Sequence, residues 1–408
     1  MIELNLEEEK QENFGACLKV IGIGGAGGNA VNSMINSNEL KNINFIVANT
    51  DAQALNLSLA EYKIQIGKKI TKGLGAGANP DVGRRAAEED IETILEEIKK
   101  TDILFLTAGL GGGTGSGALP VIAKAAKELG ILTVAIVTKP FLFEGRRRTT
   151  YTHEAIKTLK ESVDTLIIVP NQKLLEIVDP KISMLDAFAM SDDVLKKAIK
   201  GISDIITKAG HINVDFADVR EIMKDMGMAL MGTGIAEGEE RARQAALNAI
   251  NSPLLEDISI KGAKGVLINI TGNIDLGLQE INEAASLIHD MVSENAEIIL
   301  GSVIDPEIGN QVMVTVIATG FETETKKENK LEKEKIYKTA SAQKEFIKNK
   351  EKKKEEENFK NLSESSIDLD NFDTPTFLRK KAEEQLQSDK IETLNIENKE
   401  NKNEHFSE

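Results

Sequence analysis

The chain has 408 residues, of which 41% are hydrophobic, 28% charged and 4% aromatic, with no tryptophan, enough for more than one folded domain built on aliphatic side chains. A formal net charge of −16 excludes a sequence-independent grip on nucleic acid, which needs clustered Lys and Arg. The single cysteine, Cys17, excludes an internal disulfide and is expected as a small buried hydrophobe in a reducing compartment.

The first 14 residues form an extension whose start, MIELNLEEEK, is acidic where a signal peptide is basic. No apolar run reaches the ~20 residues that span a bilayer, so a cytoplasmic location without direct membrane insertion is expected. From Leu18 onward, short β-rich runs alternate with helical patterns: LKVIGIG, a helix over 29–37, INFIVAN, and later DILFLTAG, ILTVAIVT and DTLIIVP. Continuous apolar runs mark strands buried on both faces, which predicts a parallel, Rossmann-like α/β domain over 15–182. In the connecting segment 183–211, Leu195, Ala198, Ile199, Ile202, Ile205, Ile206 and Ala209 recur at helical spacing. A helix over 185–209 would run on the order of 35 Å, long enough to bridge two domains. Then come MALMGTGIAEG, a helix over 239–250, GVLINITGN, a helix over 278–292, AEIILGSVID and VMVTVIATGF. They predict a smaller α+β domain over 212–321.

Beyond Phe321 the composition turns to Lys, Glu, Asn and Ser, and residues 322–368 are expected to be a disordered linker. Within LDNFDTPTFLRKK, residues 369–381, apolar groups gather beside three basic ones, as in a short docking peptide on a tether. A polar tail, 382–408, follows.

Glycine concentrates in three loops. GIGGAG at 22–27 matches G-x-G-x-x-G between a strand and a helix, the dinucleotide fingerprint. That reading, an NAD-dependent oxidoreductase, wants an acidic residue closing the next strand, whereas the strand ends Ala48, Asn49, Thr50, with Asp51 one step late. GGGTGSG at 111–117 lies between an apolar run and a helix-like one. Glycine lets a ligand approach the main chain, and N–H groups opening a helix favour an anion, most often phosphate. With a third cluster, KGLGAGANP at 72–80, several loops on one ligand suggest a triphosphate. No G-x-x-x-x-G-K-[ST] is present in the sequence, which excludes the P-loop. Taken alone, FEGRRR reads as a solvated charged loop, and NVDFADV as a turn with helix-capping aspartates.

GIGGAGGNAV, ANTDAQAL, GGGTGSG, FEGRRR, DAFAMSDDVL, NVDFADV and DNFDTPTFLRKK, in this order, resemble the tubulin/FtsZ family over nearly all of residues 15–321 plus the tail motif. GGGTGSG is that family's signature. Ala26 and Ser116 stand where glycine and threonine are frequent, and the tail beyond Lys381 is longer than usual.

The resemblance implies a GTPase that polymerises with GTP into the cell-division ring, beneath the inner membrane at mid-cell. A tubulin-like segregation or shape filament is the alternative. Its cofactors would be GTP/GDP and Mg²⁺, with the direct metal ligands unassigned. Gly25, Ala26, Gly27, Gly28 and Asn29 would form the first phosphate loop, and Gly112, Gly113, Thr114 and Gly115 would cradle the β and γ phosphates. Glu144 and Arg148 would contact ribose and nucleotide, and Phe188 would stack on the base. Asn171 and Asp193 would read the base edge, an aspartate accepting from N1 and N2 of guanine and rejecting adenine. Asp215 and Asp218 would enter the nucleotide site of the next subunit, orienting water and supporting the metal in a head-to-tail homopolymer. Residues 369–381 would dock a membrane-tethering division adaptor and regulators.

Overall fold

Apolar runs and amphipathic stretches assemble into one ten-stranded sheet with helices on its faces. The computed structural model describes residues 15–321 except 177, 179–180, 209, 211, 213 and 256–259, together with Lys380. The N-terminal extension, the linker, the docking peptide apart from Lys380 and the polar tail lie outside the described residues.

The first half contains β1 (Leu18–Ile23), α1 (Gly24–Ser37), β2 (Ile43–Asn49), α2 (Ala52–Asn56), β3 (Tyr62–Gln65), α3 (Lys68–Thr71), α4 (Pro80–Glu89) and α5 (Ile91–Ile98). It continues with β4 (Ile103–Gly109), α6 (Gly113–Glu128), β5 (Leu132–Lys139), α7 (Arg146–Ser162), β6 (Thr165–Pro170) and α8 (Asn171–Leu174). The long α9 (Met184–Thr207) leads to α10 (Phe216–Met223), β7 (Gly227–Ala236), α11 (Arg241–Ile250), β8 (Gly265–Gly272), α12 (Leu278–Met291), β9 (Glu297–Ile304) and β10 (Val312–Thr319).

Strand order is β3-β2-β1-β4-β5-β6-β7-β10-β8-β9. The pairs from β3 to β7 are parallel, as the buried apolar runs require. β10 runs antiparallel between β7 and β8, and β9 lies parallel to β8 at the edge. The sheet passes unbroken through both expected domains, because Thr165–Ile167 of β6 register with Gly227–Ala229 of β7. Residues 15–321 accordingly belong to one compact unit.

Alternation along the strands divides the core. Val20, Phe105, Val134 and Ile136 face α1 and α9, while Ile21, Leu104, Leu106 and Val137 face α4, α5, α6 and α7. A third cluster packs α11 and α12 on β8 and β10. Helix α9 buries Leu195, Ala198, Ile199, Ile202 and Ile205 and packs on strands from both halves. At 24 residues it spans about 36 Å. Ser183 Oγ starts it by accepting from the Asp186 N–H at 3.1 Å.

Two helices begin earlier than their sequence patterns predict, α1 at Gly24 and α6 at Gly113. Glycine is a poor helix former, so its runs read as loops. Here the glycines are the first helical turns themselves.

Candidate nucleotide site

A cavity of about 460 Å³ opens where β1, β4, β5 and β6 end and α1, α6 and α8 begin. This is the crevice at the carboxyl ends of parallel strands in which α/β proteins hold ligands. Gly25, Ala26, Gly112, Gly113, Thr114, Gly115, Glu144, Arg148, Asn171 and Phe188 all line it. Gly27, Gly28, Asn29, Asp193, Asp215 and Asp218 are not in its wall.

The three glycine loops interlock. Gly24 sits at φ +75, and a Cβ there would stand 3.1 Å from the Gly115 N–H nitrogen, so the first loop bears directly on the second. The Gly113 N–H donates to the Gly77 carbonyl at 3.1 Å, which lays the third loop over the second. Gly27 belongs to this scaffold: a Cβ would collide with the Thr107 carbonyl of β4. It therefore serves helix-strand packing, the role of the third glycine of the fingerprint.

Neither α1 nor α6 has a side-chain cap at its N-terminus. Apart from the Gly113 N–H, which the Gly77 carbonyl takes, the first-turn N–H groups of the two helices are left to whatever occupies the cavity, with both dipoles favouring negative charge. Around them, the Thr50 and Thr114 hydroxyls are hydrogen-bonded at 2.7 Å, and Ser116 Oγ accepts from the Gly111 N–H at 2.7 Å. The first bond fixes a hydroxyl in the wall, and the second closes the turn that Gly111, at φ +97, makes into α6.

On the other wall, Glu144 pairs with Arg148 at 2.5 Å and takes the Phe141 N–H at 2.9 Å. FEGRRR is therefore partly structured, although Arg146 and Arg147 remain solvated. Phe188 meets Phe141 edge to face at 5.4 Å and keeps 37% of its surface open. Asn171 is buried, and its Oδ1 has no partner among the described residues. An orphaned buried acceptor in a cavity wall marks a place for a donor.

The carboxylate beside Phe188 is Asp192 and not Asp193. Residues four apart share a helix face, and a fifth position turns roughly 140° away. Asp192 accordingly lines the cavity, and burial pushes its carboxyl up to about 7. Asp193 is claimed by Lys197 at 2.8 Å and Lys196 at 3.1 Å. Burial would raise its pKa, but the two ammonium groups outweigh that and hold it below the usual value. The i, i+4 spacing from Phe188 was the signal that separates the two aspartates. Asn49, Thr50, Asp51 and the loop at Gly75–Gly77 also line the cavity. They lie in ANTDAQAL and the third glycine cluster, and the resemblance assigns none of them a nucleotide contact. Asp51 caps α2, accepting from Gln53 at 2.8 Å and Ala54 at 3.3 Å. Both bonds go to Oδ1, so the cap fixes Asp51 after β2 while it still faces the cavity.

Asp215 and Asp218 stand toward the opposite ends of the strands. Asp215 N-caps α10, and its N–H donates to Asp218 Oδ2 at 3.3 Å, the helix-capping turn expected of NVDFADV. Helix α10 is tied to the starts of the strands: Arg220 reaches the Gly130 carbonyl before β5, and Thr165 Oγ1 on β6 donates to the Met223 carbonyl. The cavity lies beyond the other end of β5, at Thr138 and Pro140, roughly 26 Å from Gly130 at 3.3 Å per residue. One chain cannot bring these carboxylates to its own cavity.

Residues 17–179 match the Tubulin/FtsZ family, GTPase domain, and residues 227–322 match the FtsZ family, C-terminal domain. The structure is similar to the empty FtsZ dimer of M. jannaschii at 45% identity and a TM-score of 0.72, over 75% of this chain and 88% of that one. It is also similar to CetZ2 from Haloferax volcanii, solved as a GTPgS-bound protofilament, with a TM-score of 0.65 over 78% of this chain and 99% of that one. The second match, at 19% identity, speaks to the fold alone. The chain belongs to the tubulin/FtsZ family.

Proposed function

We propose that this GTP-dependent polymerising GTPase hydrolyses GTP only where two subunits meet head to tail, one contributing the cavity and the next Asp215 and Asp218. The observation that carries this reading is the placement of cavity and carboxylates at opposite ends of the strands. A contact joining opposite ends is heterologous and need not close, so it yields a filament. Leu142, Phe143 and Leu185 support it, standing 71%, 63% and 77% exposed beside or near cavity residues. Apolar side chains in such a place favour burial against a partner.

Within one subunit, the uncapped N–H groups of α1 and α6 and the Thr114 hydroxyl hold the phosphates. Phe188 stacks on the base, Asn171 Oδ1 takes a donor from it, and ionised Asp192 accepts from N1 and N2 of guanine. Adenine would leave Asp192 unpaired, which gives selectivity. Glu144 and Arg148 contact the ribose side. Among the described residues no group of three metal-ligating side chains exists. That fits Mg²⁺, a hard ion that keeps waters and binds mainly through substrate phosphates. When bound it neutralises charge on the β and γ phosphates. Asp215 and Asp218 of the neighbour then orient the attacking water, and loss of the γ phosphate loosens the contact.

The filament would form the division ring in the cytoplasm beneath the membrane, tethered through residues 369–381 to a membrane-bound adaptor. Among the described residues no helix is long and apolar enough to cross a membrane, which suits a borrowed anchor. The test is GTPase rate per subunit against protein concentration with Mg²⁺, alongside pelleting in GTP and GDP. A rate near zero below a threshold, rising together with GTP-dependent pelleting, supports the shared site. A rate independent of concentration overturns it.

A further inference from the structure

Asp215 ends the segment joining α9 to α10 and Asp218 lies in the first turn of α10, and carboxylates that orient a water must be held to about an ångström. We propose that the edge strand β9, through Ser302 and the space left by Gly210, is the element that positions these donated carboxylates. This inference rests on the shared-site reading above.

Strand β9 ends the sheet order, so its outer edge offers unpaired N–H and C=O groups. The segment after α9 covers that edge at one point. Ile212 and Ser302 form an antiparallel bridge in which the Ser302 N–H donates to the Ile212 carbonyl at 3.2 Å. The return bond goes to the side chain: the Ile212 N–H donates to Ser302 Oγ at 3.0 Å. Ser302 is 2% exposed, so water does not compete for its hydroxyl. Ile212 is three residues before Asp215, at most about 10 Å of extended chain.

Gly210 sets how closely the segment can approach. A Cβ there would collide with the Ser302 carbonyl, so the close approach to β9 requires glycine at 210. One residue earlier on the strand, a Cβ at Gly301 would lie 3.1 Å from the Ile205 side chain, so the end of α9 also presses on β9. Lys208 completes the anchorage, pairing with Asp204 at 2.9 Å and with Asp305, just beyond β9, at 3.5 Å. The approach to Asp215 is thereby registered against β9, while α10 beyond it is held by Arg220 on the Gly130 carbonyl and by Thr165 on the Met223 carbonyl. Ser302 is a positioning residue, acting on Asp215 and Asp218 through Ile212.

The experiment compares Ser302→Ala and Ser302→Thr with the parent chain, and with Asp218→Ala as a reference. Three readouts are taken: affinity of the unassembled subunit for a fluorescent GTP analogue, pelleting with a non-hydrolysable GTP analogue, and GTP turnover in filaments. Ser302→Ala is expected to bind and pellet like the parent while turning over about tenfold more slowly. Ser302→Thr, which keeps the hydroxyl and suits a strand, is expected to restore turnover. Parental turnover in Ser302→Ala overturns the proposal, as does a parallel loss of GTP affinity or pelleting, or a threonine variant as slow as the alanine one. If Asp218→Ala itself hydrolyses GTP normally, the shared-site reading falls. If Asp218→Ala is inactive and Ser302→Ala is not, only the role of β9 falls.

Discussion

Phe188 and Asp192, one helical turn apart on α9, both line the cavity, while Asp193 is drawn off by Lys196 and Lys197. The long helix thus brings an aromatic face and a half-buried carboxyl to one ligand.

Nucleotide affinity should depend on pH through Asp192. Burial lifts its carboxyl to about 7, and under the proposed reading the ionised form takes guanine, so GTP affinity should fall about tenfold per pH unit below that value. Asp192→Asn should bind GTP weakly and lose this slope, as equilibrium titration between pH 5.5 and 8 would measure. A parental slope in the asparagine variant would assign the titration to another group.

The same carboxyl predicts the opposite trend for stability without nucleotide. Its pKa in the folded chain lies above the ordinary 3.8, so between about 4 and 7 the folded state holds a proton that the unfolded state has released. Stability should fall as pH rises through that window. At pH 7.5 nucleotide-free Asp192→Asn should melt higher than the parent while binding GTP worse, a pairing that thermal melts with and without GTP would reveal.

Asp218→Ala should reduce turnover in filaments by at least about a hundredfold and leave GTP binding to the unassembled subunit intact. Loss of its bond to the Asp215 N–H should cost only about 1 kcal/mol. Rapid-quench hydrolysis and binding titration separate these effects, and normal hydrolysis would remove the aspartate from the reaction.

Thr50→Val keeps the shape of a buried side chain and deletes the partner of the Thr114 hydroxyl. Removing a buried hydrogen bond should cost about 1 kcal/mol of stability and weaken GTP binding several-fold, with Thr50→Ser restoring it. An unchanged affinity would mean that Thr114 needs no such support.

Deleting residues 370–381 should leave GTP-dependent pelleting unchanged and abolish co-pelleting with the membrane adaptor. Retained adaptor binding would move the docking site elsewhere.

Much of this architecture was legible in the chain. INFIVAN became β2 residue for residue because a continuous apolar run has no other stable place in a parallel sheet. The apolar stripe of α9 likewise gave its helix to within two residues at either end. The four-residue β3, YKIQ, was missed because so short an edge strand carries little pattern. The starts of α1 and α6 were missed because glycine argues against helix unless a ligand needs the bare first turn. Of the site, the glycine loops announced an anion by their composition. Asp192 was displaced by one position until helix geometry separated it from its neighbour. Nothing local to NVDFADV distinguishes a carboxylate offered to a neighbour from a cap; the proposal of donation rests only on the distance the strands put between that turn and the cavity.

The bare N-termini of α1 and α6 make the nucleotide part of the fold's own thermodynamics. An empty subunit carries two clusters of aligned dipoles with no counter-charge, and occupancy adds stability as the logarithm of ligand concentration over Kd. The survival of a subunit against heat and proteases should therefore follow the supply of guanine nucleotide. Starved of it, the pool of free subunits would shrink by degradation before assembly was ever attempted.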